Sequence, residues 1–267
     1  MAHAGPVASS VFDLCAFLDA VASERDADDP LTEWAPPPPH RGFGALLGAG
    51  VRGLRIGIDD DEWQDADPEV ARTCRDALRA LEREGAVLVG VKMPLARHAA
   101  RIGYLTIAPE SLASNRAHWL ERRSKIGDDV RLVFAVVSGF TALEQLDAQR
   151  LRTGLRLETA AILREVDVIA LPTTAITAPR YTEADARTGF SDPVALDGLC
   201  RYAFLGNLTG LPAGTAPVGV DGGGLPIGLQ ILGDAWDEPT VLSVLAQLER
   251  SGAAAVRRPP GSIDLLG

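Results

Sequence analysis

The sequence predicts an α/β fold with a mixed central sheet flanked by helices. Two apolar runs of strand length, residues 54–58 and 86–91, enclose an amphipathic helical pattern, and such a βαβ unit makes its two strands parallel. A third apolar run, residues 166–171, follows a long helical stretch. Residues 214–220 and 227–232 flank a glycine-rich turn and are typical of an antiparallel hairpin. We expect all of these runs to lie in one sheet.

Two helices are predicted in the first third of the chain. Residues 10–22 place apolar side chains at helical spacing behind Ser9 or Ser10, either of which can cap the helix. Residues 67–69, Asp-Pro-Glu, begin the helix of the βαβ unit, because proline suits the first turn and acidic side chains suit the positive end of the helix dipole. Gly85 ends that helix.

Other segments are assigned by composition and periodicity. Residues 23–50 are rich in Asp and Pro and predict a surface loop. Residues 111–165 are mostly helical in pattern, a further helix is expected around residues 199–208, and a last helix begins near Asp237. Three glycines mark breaks or close-packing points in the long helical stretch: Gly127, Gly139 and Gly154.

Composition limits the classes of partner. The 267 residues carry a net charge of -10, which argues against a nucleic-acid partner, since such binding depends on clustered positive charge. Cys15, Cys74 and Cys200 show no pairing with histidines at metal-ligand spacing, so we expect buried thiols in a reducing compartment. No metal and no cofactor are expected.

Targeting signals are not visible in the sequence. The first residues carry Asp13 and Asp19 and no basic side chain, unlike a secretory signal. No apolar run reaches the roughly 20 residues that a membrane span requires. We therefore expect a cytoplasmic protein.

A search for hydrolytic machinery finds little. Hydrolysis of an amide needs a nucleophile, a base and donors for the oxyanion. The sequence has no G-x-S-x-G, S-x-x-K or H-E-x-x-H motif, and the segment around Ser191 lacks the second glycine of a nucleophile elbow. Lys92 and Lys125 are the only lysines that could act as a base. His98 and His118 have no partner at ligand spacing and are expected at the surface.

Several segments resemble the amidase-signature family. Residues 204–249, from FLGNLTGLPAGTAPVG to SVLAQLE, resemble its closing segment, and residues 167–174, DVIALPTT, resemble the strand and loop that lead into its active-site region. Residues 5–11, GPVASSV, resemble the G-P-x-A-x-[ST]-V segment that directly follows the catalytic half of the family. The resemblance therefore extends along the whole chain.

The resemblance implies where catalysis resides. The family uses a serine nucleophile, a second serine in a cis peptide and a lysine base, and all of them precede the G-P segment. The resemblance therefore implies no catalytic residue in this chain, a single incomplete amidase domain over residues 1–267, and no activity of the chain alone. The implied partners are a small-molecule amide substrate and either the missing N-terminal half or a second copy of the chain.

Within the family, Trp63 ahead of residues 67–68 and the TTAITAP segment that begins at Thr173 resemble the fatty-acid amide hydrolase branch. This resemblance implies an N-acyl amide substrate, with Thr173, Thr174, Cys200 and Phe204 near the acyl site. The i, i+4 spacing puts Cys200 and Phe204 on one side of a helix, where simple core packing is an equally good explanation.

Two other functions stay open. The chain could be a noncatalytic subunit, or half of a split amidase, whose exposed face binds a separately encoded N-terminal half. It could also be the glutaminase subunit of a tRNA-dependent amidotransferase, which shares the family segments. The residues that resemble the fatty-acid amide hydrolase branch favour a hydrolase over the amidotransferase component.

Overall fold

The computed structural model describes residues 3–22, 28, 30–183, 185 and 192–255. Its strands are β1 (Arg55–Ile58), β2 (Val87–Gly90), β3 (Val168–Pro172), β4 (Ala213–Val220) and β5 (Pro226–Gly233). Its helices are α1 (Val11–Val21), α2 (Pro68–Arg83), α3 (Ala99–Ser114), α4 (Arg116–Glu121), α5 (Asp128–Val137), α6 (Ala142–Ile162), α7 (Pro193–Cys200), α8 (Ala203–Thr209) and α9 (Glu238–Arg250). The strands lie where the apolar runs predict them.

The described strands form one mixed sheet in the order β2-β1-β3-β5-β4. β1 pairs in parallel with β2 and β3, whereas β5 pairs antiparallel with both β3 and β4. β3 occupies the centre of the sheet, and all of its residues are buried. The predicted fold class, a mixed sheet with parallel and antiparallel pairs, is confirmed.

Helices cover both faces of this sheet. On one face α9 approaches β4 so closely that a Cβ on Gly214 would lie 2.6 Å from Leu245 Cδ1. α2 lies on this same face, where the Cys74 thiol donates to the Gly228 carbonyl at 3.4 Å. On the opposite face α8 packs near Gly206 against Leu232, and it contacts α3 and α6 behind it.

The helix ends follow the local rules of the sequence. The Ser10 hydroxyl accepts from Asp13 N and caps α1, so of the two candidate caps the structure uses Ser10. Pro68 lies in the first turn of α2. Thr141 and Glu144 form a reciprocal capping box at the start of α6. Gly127 precedes α5, Gly139 separates α5 from α6, and Gly154 lies inside α6 against Leu95.

Two segments differ from the sequence-based expectation. The helix predicted around residues 199–208 is divided into α7 and α8, because Arg201 turns inward to acidic partners at the junction. Part of the loop predicted over residues 23–50 reaches the core. It contains short 3-10 turns at Pro30–Trp34 and Phe43–Leu46, and Phe43 is buried.

Candidate functional site

The carboxyl ends of the parallel strands meet at one edge of the sheet, which is where open α/β sheets usually bind ligands. Asp59 follows β1 there, is buried, and accepts from Met93 N at 2.6 Å. Lys92, close after β2, contacts Asp61 at 2.6 Å and Asp59 at 3.6 Å. Its hydrogen bond to Asp61 raises the pKa of Lys92, so this amine stays protonated and is a poor base. Lys125 is exposed in a 3-10 turn.

Thr173 and Thr174 follow β3 at the same edge. Thr173 N donates to the Gly228 carbonyl at 2.8 Å, and the Thr173 hydroxyl is hydrogen-bonded to the Thr215 hydroxyl. The Thr174 hydroxyl donates to the Ile176 carbonyl at 2.8 Å. The sequence-based reasoning missed Thr215, because its position beside Thr173 depends on how β5 joins β3 to β4.

Cys200 and Phe204 meet around Tyr104 of α3. The rings of Tyr104 and Phe204 pack edge to face with their centroids 4.8 Å apart. Burial raises the pKa of Tyr104, and a hydrogen bond with the Cys200 thiol raises it further. The i, i+4 argument is corrected here: the two residues lie on separate helices, α7 and α8, and Tyr104 joins them. Tyr104 could not be found from local spacing.

A main-chain hydrogen bond connects the two pairs of candidate residues. Ala175 N, just beyond Thr174, donates to the Gly198 carbonyl at 2.9 Å, one half-turn before Cys200. The Ala175 carbonyl in turn accepts from Asp67 N at 2.7 Å. The loop after β3 therefore lies along α7, and the two pairs line adjacent segments of the chain.

A buried ion-pair cluster fixes the junction of α7 and α8. Arg201 donates to Glu62 Oε2 and to Asp65 Oδ2, each at 2.8 Å. The Tyr202 hydroxyl donates to the Glu62 carbonyl at 2.8 Å, and Trp63 Nε1 donates to the Ala170 carbonyl at 3.2 Å. Burial raises the pKa of Glu62, and Arg201 opposes that effect. The cluster positions α8, and hence Phe204, relative to β3.

Other predicted features are placed as follows. In the described parts of the chain, no group of three or more His, Cys, Asp or Glu side chains could hold a metal ion. No helix within the described ranges is long and apolar enough to cross a membrane. Ser191 lies outside the described residues.

Comparison with known proteins places the chain in a family. The model of the Amidase family matches residues 1–242. The chain belongs to the amidase family. A glutamyl-tRNA(Gln) amidotransferase subunit of Myxococcus xanthus is 34% identical and covers 92% of this chain and 54% of its own length. The fatty acid amide hydrolase of Medicago truncatula is also 34% identical, over 98% of this chain and 44% of its own.

The fold agrees with that of solved family members. A bacterial aryl acylamidase of the amidase-signature enzymes superposes with a TM-score of 0.78 at 22% identity, over 93% of this chain and 53% of the other. The resemblance to the amidase-signature family is thus confirmed, and the family acts on amides. The amidase chain spans about half the length of the curated relatives that it matches. The two named branches match it at equal identity.

Proposed function

We propose that this chain forms the substrate-side half of an amidase that hydrolyses carboxylic amide C–N bonds, and that it is inactive alone. The observation that carries the proposal is the family match over residues 1–242, combined with a sequence that offers no serine–lysine motif. Lys92 is held protonated by Asp61, which argues against a base within this chain. The nucleophile, the base and the oxyanion donors then come from a second polypeptide of the reducing cytoplasm.

The proposed substrate is an N-acyl amide with an apolar acyl chain. The similarity to the Medicago truncatula fatty acid amide hydrolase over 98% of this chain supports it. Phe204 and Tyr104 supply an apolar wall beside the edge where Thr173 and Thr174 end β3. We propose that Cys200 and Phe204 contact the acyl chain, and that Thr173 and Thr174 lie near the amide.

The expected partner is a polypeptide that resembles the amino-terminal half of the family. Exposed apolar side chains on neighbouring helices support an interface, since large exposed apolar patches mark interaction surfaces. Val130, Leu132, Val133 and Val136 all project from α5 with at least 40% exposure. In the absence of that partner we expect the chain to self-associate.

Incubation of the purified chain with acyl anilides and N-acylethanolamines tests the proposal. We expect no turnover from the chain alone, and turnover after co-expression with the open reading frame directly upstream. Turnover by the chain alone that disappears in Ser191→Ala would overturn the proposal. Analytical ultracentrifugation that shows a stable monomer without dye-accessible apolar surface would overturn the proposed interface.

The second candidate is the glutaminase subunit of a tRNA-dependent amidotransferase. The 34% identity to the Myxococcus xanthus amidotransferase component favours it as strongly as the Medicago truncatula enzyme favours the first candidate. Glutamine hydrolysis by the reconstituted enzyme, with no cleavage of N-acylethanolamines, would identify this function. Copurification of further amidotransferase components would support it.

A further inference from the structure

A cavity lies between the end of α3, α4, the end of α5 and the start of α6. Its volume is about 540 Å³, within the range of about 300–1,000 Å³ that is typical of small-molecule sites. The walls are mostly apolar and include Leu112, Trp119, Leu120, Val137 and Phe140. Such walls disfavour water and favour the hydrocarbon part of a ligand.

The polar groups of the lining are almost all satisfied within the chain. The Ser138 hydroxyl donates to the Phe134 carbonyl at 2.7 Å. The Thr141 hydroxyl donates to Glu144 Oε2 at 2.9 Å and accepts from Glu144 N at 3.2 Å. Gln145 Oε1 is different, because it is buried and has no hydrogen-bond partner. A buried acceptor without a donor costs free energy, and a ligand N–H in the cavity would remove that cost.

Neighbouring contacts hold the aromatic wall in place. Trp119 packs edge to face on Phe134, with centroids 5.7 Å apart. The Arg123 guanidinium lies over the Trp119 ring, 4.0 Å from its centroid. Phe134 itself is buried. The cavity is therefore largely formed before any ligand arrives, which lowers the entropic cost of binding.

We propose that this cavity binds a small apolar carboxamide, with the hydrocarbon body between α4 and α6 and the amide N–H donating to Gln145 Oε1. A carboxamide carries both a donor and an acceptor, so it complements the side-chain amide of Gln145 in either orientation. The site is separate from the edge of the sheet: its lining begins at Pro109, a little more than one helical turn beyond Tyr104 along α3. Because binding is measured without turnover, the proposal holds or fails independently of amide hydrolysis.

Isothermal titration of the full chain with a matched pair of probes tests this site. Hexanoyl anilide has an amide N–H, and phenyl hexanoate replaces it with an ester oxygen. We expect the anilide to bind about five- to tenfold more tightly than the ester, the difference that one buried hydrogen bond supplies. Gln145→Leu should bind both probes with equal affinity. Gln149→Leu, on the same helix but outside the lining, should keep the preference.

Variants that fill the cavity test its location. Ala113→Trp on α3 and Ala142→Trp on α6 each place a large ring in the lining, and each should weaken both probes by at least about tenfold. Circular dichroism confirms that each variant is folded. The proposal is overturned if the wild-type chain shows no saturable binding or binds both probes equally. It is also overturned if the preference persists in Gln145→Leu, or if both filled variants bind like the wild type.

Discussion

Arg201→Met should destabilise the amidase chain strongly, because it leaves a buried carboxylate without its partner. Arg201 Nη2 lies 2.8 Å from Glu62 Oε2, and the two side chains are only 10% and 3% exposed. Methionine nearly keeps the volume but cannot neutralise the charge. Removal of one member of a buried ion pair costs about 3–5 kcal/mol. That is a large part of the roughly 5–15 kcal/mol that stabilises a typical domain.

The loss of stability should depend on pH. Burial is the main cause that raises the pKa of Glu62, Arg201 opposes it, and the neighbouring Asp59 and Asp65 raise it further. Without Arg201 the folded-state pKa of Glu62 rises above its unfolded value by a wider margin. Stability is then present below the unfolded pKa and is lost as pH rises through the folded pKa. The deficit of Arg201→Met should therefore be smaller at about pH 5 than at about pH 8.

Urea unfolding, followed by circular dichroism at both pH values, measures this deficit. The matched control is Arg150→Met, which removes an arginine whose pair with Asp147 is 78% and 66% exposed, so little change is expected. In the background of Arg201→Met, Glu62→Gln should recover part of the stability at neutral pH because it removes the unpaired charge. A deficit no larger than that of the control, or one that does not vary with pH, would refute the reasoning.

Two further outcomes follow from the packing around the candidate site. Gly103→Ala should lower the free energy of unfolding by about 1–3 kcal/mol, because its Cβ would lie 2.0 Å from Phe204 Cδ1. A thermal melt indistinguishable from that of the wild type would contradict this contact. In the native chain iodoacetamide should modify Cys200 before Cys15 and Cys74, since the latter two are buried and burial raises the pKa of Cys74 to about 12. Peptide mass spectrometry that finds Cys74 modified first would contradict it.

The sequence by itself determined the elements and the family. Each strand appears as a short apolar run between turn residues, and the hairpin and the βαβ unit fix their pairings locally. The cap of α1 at Ser10 and the start of α2 at Pro68 follow from residues within one turn of the helix end. These features depend on neighbours in sequence, which is why a pattern can show them.

Only the tertiary structure decided which side chains meet. Thr215 lies beside Thr173 because β5 joins β3 to β4, and Arg201 finds Glu62 although 139 residues separate them along the chain. Tyr104 contacts Phe204 from a different helix. The buried Gln145 oxygen is without a donor only because helices α3 to α6 close around it. Such contacts depend on how the sheet order and the helix packing bring distant segments together, and local periodicity carries no information about them.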